Sequence, residues 1–336
     1  MLNLEILKKI DTKGMFKIYD DWPQIALESF SNSLESIKCN KVEHIVFAGM
    51  GGSGTVGDVF SSILSKTDIH VSVVKGYTLP KTVNQESLVI STSVSGDTDE
   101  TMNIVKLTKE IGCNSIAFSS GGKIENYCLK NNLEYRKIEQ IHSPRASFTK
   151  FLFSMLKVLS PIIPISDNMV KESIQVINQL KNKIDSTNIT EDNPALNLAE
   201  WIKETPVIYY PVGFEAAVIR FKNSLQENSK QHVIAEDIIE TCHNGIVSWE
   251  KPSKFNPILV QGEDDYVKTK ERWNILKEYF NENNLEFKEI HSVKGNILSK
   301  IIQLIYLFDY ASIYNAVINE IDPTPVKSIE YIKKRL

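Results

Sequence analysis

Short apolar runs alternate with longer intervals of helical spacing along most of this chain. Residues 1–40 read as helical, with Trp22 and Pro23 interrupting the pattern. His44-Ile-Val-Phe-Ala-Gly49 then predicts a strand that runs straight into Gly51-Gly-Ser-Gly54, and a helix is expected over 56–64. Apolar runs at 71–74, 88–92 and 115–117 predict further strands, with helices over 98–111 and 124–131 between them. This rhythm favours an α/β unit built on a parallel sheet.

Pro161 and Pro164 suggest a linker or hinge, followed by a helix over 168–184 and a polar loop over 185–193. The α/β rhythm then resumes. Strands are expected at 207–210, 257–260 and 287–291, and helices at 214–227 and 268–279. Residues 296–319 are long and apolar, and Asp322-Pro-Thr-Pro325 leads into a short terminal helix. No short period repeats, which argues against a solenoid. The expected organisation is a first domain over 1–155, including the N-terminal helical segment, and a second over 165–336.

Composition narrows the classes. A length of 336 residues suits two domains, and 42 % hydrophobic residues can support a sizeable core. The 38 basic and 42 acidic side chains give a net charge of -4, so no nucleic-acid or anionic-membrane surface is advertised. A single local anion site remains compatible with that sign. Cys39, Cys113, Cys128 and Cys242 form no CxxC pair, so zinc-ribbon and redox-dithiol readings fail and reduced thiols are the simpler reading. The first 13 residues mix apolar and charged side chains, unlike a signal peptide. Gln303, Asp309 and Asn315 interrupt the apolar stretch 301–318, which reads as a buried helix. A cytoplasmic protein is expected.

Two loops carry candidate chemistry. Gly49-Met-Gly-Gly-Ser-Gly54 lies between a predicted strand and a predicted helix, where successive amides can cradle an anion. It matches neither the Walker pattern nor GxGxxG, and a plain tight turn would also use these glycines. Ser91-Thr-Ser-Val-Ser-Gly-Asp-Thr-Asp-Glu-Thr101 follows another strand and enters a helix, with Thr98 placed to help open it. The hydroxyls of Ser93, Ser95 and Thr98 can donate to phosphate oxygens, although a polar capping loop would look similar. Two such loops after strands of one sheet favour a phosphate site, because open parallel sheets bind ligands at that edge.

These residues carry a family resemblance. Gly49-Met-Gly-Gly-Ser-Gly54 and Ser93-Val-Ser-Gly-Asp-Thr-Asp-Glu-Thr101 resemble the sugar-phosphate loops of a sugar isomerase (SIS) domain. Ser143-Pro-Arg-Ala146, Gln226-Glu-Asn-Ser-Lys230, His243-Asn244, Asp309-Tyr310 and Asp322-Pro-Thr-Pro-Val326 follow in order, ahead of Ile332-Lys333. Together they resemble the bifunctional phosphoglucose/phosphomannose isomerase family over nearly the whole chain. The resemblance implies two SIS-type three-layer α/β/α domains with mainly parallel central sheets. It also implies a homodimer and interconversion of glucose 6-phosphate or mannose 6-phosphate with fructose 6-phosphate, without metal or cofactor.

The same resemblance assigns roles residue by residue. Gly51, Gly52 and Ser53, with Ser93, Ser95 and Thr98, would hold the phosphate. Glu227, otherwise an ordinary surface carboxylate, matches the base that moves a proton between C2 and C1 through an enediol or enediolate. Loss of the C2 proton erases the stereocentre that separates the two aldoses. His243 matches the residue that opens the sugar ring, supplied in the family by the neighbouring subunit. Arg145, otherwise a surface ion-pair partner, would stabilise developing enediolate charge. Lys333 would assist ring opening or hold hydroxyls, its ordinary reading being a basic residue in a last helical turn. Thr324 would contribute a hydroxyl, and turn formation explains it equally well.

One segment departs from the pattern. The family more often has a sequence resembling HNEIVGW, where this chain has His243-Asn-Gly-Ile-Val-Ser-Trp249. Gly245 removes a carboxylate and Ser248 removes a glycine. Two alternatives stay open: another aldose–ketose phosphate isomerase, and a noncatalytic sugar-phosphate sensor. No HxxxH spacing supports a metal centre.

Overall fold

Uninterrupted apolar runs become the central strands of two parallel sheets, since a strand covered on both faces has no solvent side to write into its sequence. The computed structural model describes residues 2–39 and 42–335. One compact unit comprises residues 21–174, and the other comprises residues 1–20 together with 175–336. Helices α1 (Leu4–Ile10) and α2 (Met15–Asp20) therefore belong with the C-terminal half, whereas the sequence suggested that they open the first domain. The reason lies far along the chain: the Tyr306 hydroxyl donates to the Tyr19 carbonyl at 2.7 Å, and Tyr310 bonds the Asp20 carboxylate.

In the unit of residues 21–174, α3 (Trp22–Phe30) begins at the residues expected to interrupt it. Pro23 lies in the first turn, where its missing N–H costs nothing. Strands β1 (His44–Ala48), β2 (His70–Val74), β3 (Leu88–Ser93), β4 (Asn114–Ser119) and β5 (Glu134–Lys137) form one sheet in the order β2-β1-β3-β4-β5. All its neighbours are parallel. Helix α4 (Gly52–Leu64) joins β1 to β2, while α5 (Asp99–Ile111) and α6 (Gly122–Lys130) carry the chain the other way across the sheet. Right-handed crossovers in opposite directions cover opposite faces. Side-chain alternation agrees: Phe47 stacks on Phe60 of α4 at 4.8 Å, whereas Val46 and Ala48 pack with Ile104 of α5. The almost wholly buried helix α7 (Phe148–Leu159) completes this unit against α3 and α4.

Helix α8 (Asp167–Ile184) runs across the division between the units. The second unit adds α9 (Pro194–Trp201), β6 (Thr205–Tyr210), α10 (Glu215–Ser224), β7 (Ile234–Asp237), α11 (Ile238–Thr241), β8 (Phe255–Gln261), α12 (Val267–Glu282), β9 (Lys288–His291), α13 (Ile297–Ile318) and α14 (Lys327–Lys333). Its sheet runs β7-β6-β8-β9, again wholly parallel. Val207, Tyr209 and Leu259 pack on Trp273, Leu276 and Phe280 of α12. By length and composition α13 could cross a membrane, yet 94 % of its qualifying stretch is buried. It is the central helix of the unit, packed on α9 and α10, with Phe308 stacked on Phe221 at 4.5 Å.

Candidate functional site

In the sheet of residues 21–174 the strand order reverses between β1 and β3, which is where open α/β sheets leave a crevice for ligands. The glycine loop leaves β1 and the serine loop leaves β3, so the sequence motifs flank that crevice. A Cβ on Gly49 would lie 2.8 Å from the Thr92 carbonyl, and one on Gly54 would lie 2.8 Å from the Gly49 carbonyl. The turn is folded too tightly for any other residue there. Gly51 takes φ +55° with nothing near its missing Cβ, leaving open space over the turn. Helix α4 starts at Gly52, four residues earlier than the apolar pattern suggested, which brings its first amides into the glycine loop.

The two loops are joined directly. Ser53 Oγ accepts from the Val94 amide at 3.2 Å, leaving its own proton for another acceptor. Ser93 Oγ accepts from the Gly96 amide at 3.1 Å and shares a hydrogen bond with Thr98 Oγ1 at 2.9 Å. Thr98 sits just before α5 but makes no side-chain cap; its hydroxyl goes to Ser93 instead. Ser95 Oγ accepts from the Asp97 amide at 3.3 Å. Arg145 also reaches this edge: a Cβ on Gly52 would lie 3.5 Å from its Cα, and the residue is only 7 % exposed. Arg145 and the residues of the glycine and serine loops thus lie together in one unit.

Sequence reasoning missed a third loop, Ser119-Ser-Gly-Gly122, which leaves β4. The Ser120 and Ile124 amides donate to the carbonyls of Val94 and Gly96, both at 3.0 Å, and the Lys123 amide donates to Asp97 Oδ1 at 3.0 Å. A Cβ on Gly96 would stand 1.8 Å from the Gly121 carbonyl. This loop braces the serine loop. Its signal was present in the sequence, a Ser-Ser-Gly-Gly run directly after an apolar strand.

The other proposed residues belong to the second unit. The helix expected over 214–227 ends as α10 at Ser224, and residues Leu225–Ser229 form a single π turn containing Glu227. Such turns insert one extra residue and recur at functional positions. Lys230 closes the turn with φ +58°, its ammonium donating to the Glu227 carbonyl at 2.6 Å. Glu227 itself is half-buried. The turn rests on α13, where Arg220 binds Asp309 at 2.5 Å and Asn228 donates to Ser312 at 2.8 Å. Burial pushes the Asp309 carboxyl up, and the Arg220 guanidinium pulls against it.

His243 is exposed in the turn after α11, with its amide donating to the Glu240 carbonyl at 2.9 Å. A Cβ on the departing residue Gly245 would lie 2.7 Å from Glu236 Oε2, a carboxylate that accepts from the Thr241 hydroxyl at 3.1 Å. Ser248 donates to the Gly245 carbonyl at 2.7 Å. Lys333 is exposed at the end of α14, a helix with no buried residue. The Thr324 amide donates to Asp322 Oδ1 at 2.9 Å, so a turn is formed there. Among the described residues, no group of three or more His, Cys, Asp or Glu could hold a metal ion.

Residues 191–336 match the family model of the bacterial phospho-glucose isomerase C-terminal SIS domain. A bifunctional phosphoglucose/phosphomannose isomerase from Caldicellulosiruptor bescii is 32 % identical over 325 residues, covering 93 % of this chain and 95 % of the relative. One of the same name from Aquifex aeolicus is 28 % identical, covering 87 % and 90 %. A crystal structure of a glucose-6-phosphate isomerase like protein from Thermus thermophilus superposes with a TM-score of 0.64 at 15 % identity, covering 99 % of both chains. That likeness is one of fold.

Proposed function

The chain belongs to the bifunctional phosphoglucose/phosphomannose isomerase family, and on that premise we propose that it converts glucose 6-phosphate and mannose 6-phosphate to fructose 6-phosphate. The phosphate binds the amides of Gly51, Gly52 and Ser53 and the hydroxyls of Ser53, Ser93, Ser95 and Thr98. His243 and Lys333 open the ring, His243 moving a proton at the ring oxygen. Glu227 takes the C2 proton of the open-chain aldose and returns it at C1. Arg145 stabilises the enediolate formed between these steps, where a fixed cation matters most. Holding the remote phosphate orients C1 and C2 without entering the bond changes. Thr324 holds a sugar hydroxyl. The enzyme works in the cytoplasm as a homodimer, with His243 crossing to the neighbouring subunit's site.

One observation carries this reading. Two donor-rich loops meet at the crevice of a parallel sheet, joined by the bond from the Val94 amide to Ser53 Oγ. The exposure of His243 supports a role outside its own unit's core.

The test is an assay of purified protein against the three sugar phosphates with products identified. Both aldoses should give fructose 6-phosphate, and Glu227→Gln should retain sugar-phosphate binding while losing about 10²–10⁴-fold in turnover. Unchanged turnover would remove Glu227 from the mechanism, and binding without turnover in the native protein would identify a sensor. Mixing the inactive Glu227→Gln and His243→Ala variants should restore activity if His243 acts across a dimer.

A further inference from the structure

We infer that Asn228, Ser229 and Ser312 are positioning residues that hold the Glu227 carboxylate in register for proton transfer. The inference rests on Glu227 being the proton carrier. A π turn carries one residue more than an α turn, which shifts the direction in which its residues project around the helix. Here both ends of the turn are fastened to one face of α13. Before it, Arg220 and Ser224 bind the two Asp309 carboxylate oxygens, with distances of 2.5–2.9 Å. Within it, Asn228 Nδ2 donates to Ser312 Oγ at 2.8 Å, and Ser229 Oγ donates to the Ser312 carbonyl at 2.9 Å. Ser312 Oγ in turn donates to the Asp309 carbonyl at 2.7 Å, closing a chain of bonds between the two anchors.

Asn228, Asp309 and Ser312 are wholly buried, away from the bulk water that would otherwise replace a lost partner. Residues 309 and 312 are one turn apart on α13 and present the same face. Glu227 is the only carboxylate in the turn, and it immediately precedes the anchored Asn228. Removing the Ser312 hydroxyl would leave the Asn228 amide without that acceptor and let the turn relax, displacing the carboxylate without touching the phosphate loops.

The experiment compares Ser312→Ala, Ser229→Ala and Glu227→Gln with the native enzyme, using folded protein verified by circular dichroism. Ser312→Ala should lower kcat by about 10–100-fold with KM within about twofold, the signature of a misaimed catalytic group. Ser229→Ala should lower kcat by a smaller factor, and it carries the test if Ser312→Ala does not fold. A second readout separates aim from general loosening. With 2-deuterated glucose 6-phosphate, a well-aimed carboxylate returns part of the label to C1, and a loosely held one loses more to solvent. The fraction of deuterium reaching C1 of fructose 6-phosphate should therefore fall. A folded variant with native kcat and native label retention would overturn the inference. Native turnover in Glu227→Gln would instead overturn the reading beneath it.

Discussion

Apart from the additional edge strand β5, the two sheets share a strand order and differ in what they place at its turning point. Between β1 and β3 the chain presents glycines, serines and helix amides, and the first carboxylate of the serine loop is Asp97. The corresponding reversal in the second unit lies between β6 and β8, whose following loops are Pro211-Val-Gly-Phe214 and Gly262-Glu-Asp-Asp265. There the donors already have anions of their own. The Gly262 amide and the Trp273 indole both bind Asp265 Oδ2 at 3.0 Å, Lys300 binds Asp264 at 2.6 Å, and Lys294 binds Glu263 at 2.9 Å. A phosphate arriving at that crevice would meet carboxylates rather than open donors. Topology marks where a ligand can sit, and side chains decide whether one does.

The strongest way to break this comparison is to place a methyl group at matching positions. Gly96 has φ +76° and its added Cβ would sit 1.8 Å from the Gly121 carbonyl, a backbone atom that cannot turn aside. Gly96→Ala should destabilise the first unit by about 3 kcal/mol or more, with phosphate binding lost. Gly262→Ala meets Asp265 Oδ1 at 2.6 Å and the Phe214 ring at 3.1 Å, side-chain atoms rather than backbone. It should cost about 1–2 kcal/mol. Thermal denaturation of both variants gives the comparison, and equal losses would mean that the loops are braced alike.

A smaller effect sharpens the chemical difference. Ser53→Ala removes a hydroxyl that accepts from Val94 and has a proton to offer phosphate. Losing one hydrogen bond to a charged group corresponds to about a 10–100-fold rise in KM for the sugar phosphate. Asp264→Ala in the acidic loop should leave KM unchanged, since that carboxylate is engaged by Lys300 at the surface. Inhibition by inorganic phosphate should weaken in parallel with the Ser53→Ala change. If Asp264→Ala shifts KM as far, the second crevice takes part in binding and the contrast fails.

Legibility in the sequence followed burial. Strands β1 and β3, covered on both faces, appear as apolar runs, and their loops are marked by residues used for backbone geometry. The half-covered edge strands Glu134–Lys137 and Ile234–Asp237 carry no such run and escape notice, whereas the edge strands β2 and β9, no better covered, are marked by the stretches at 71–74 and 287–291. Nothing local separates the π turn around Glu227 from a continuing helix, because its fastening depends on Ser312, 84 residues away. The placement of residues 1–20 is equally nonlocal. It depends on tyrosines 306 and 310, spaced by one helical turn on α13. Side-chain type was readable at these positions, but the partners were not.

The weakest expected contrast is in response to acid, and it arises at the strand ends opposite the glycine and serine loops. His44 and His70 face each other across β1 and β2 with ring centroids 4.9 Å apart, and Ser87 and Ser72 contact the His44 nitrogens at 3.1 and 3.3 Å. Burial, and then the neighbouring His70, hold the His44 pKa below its ordinary 6.5. The unfolded chain therefore takes up a proton more readily, so this stabilisation is complete above about pH 6.5 and is lost as the pH falls through the lower folded value. In the second sheet, burial raises the Glu289 carboxyl, but hydrogen bonds from Gln261 and Lys277 and the nearby charges outweigh it and leave the pKa below 4.5. Its stabilisation is present above that pH and is lost only as the pH falls through the lower folded value. Acidification from pH 7 to 5 should thus loosen the unit of residues 21–174 before the other. Hydrogen–deuterium exchange, corrected for intrinsic rates, would resolve the two sheets, and His44→Gln should flatten the response of β1 and β2 alone. A uniform response in both sheets, or one untouched by His44→Gln, would assign the acid sensitivity to other groups.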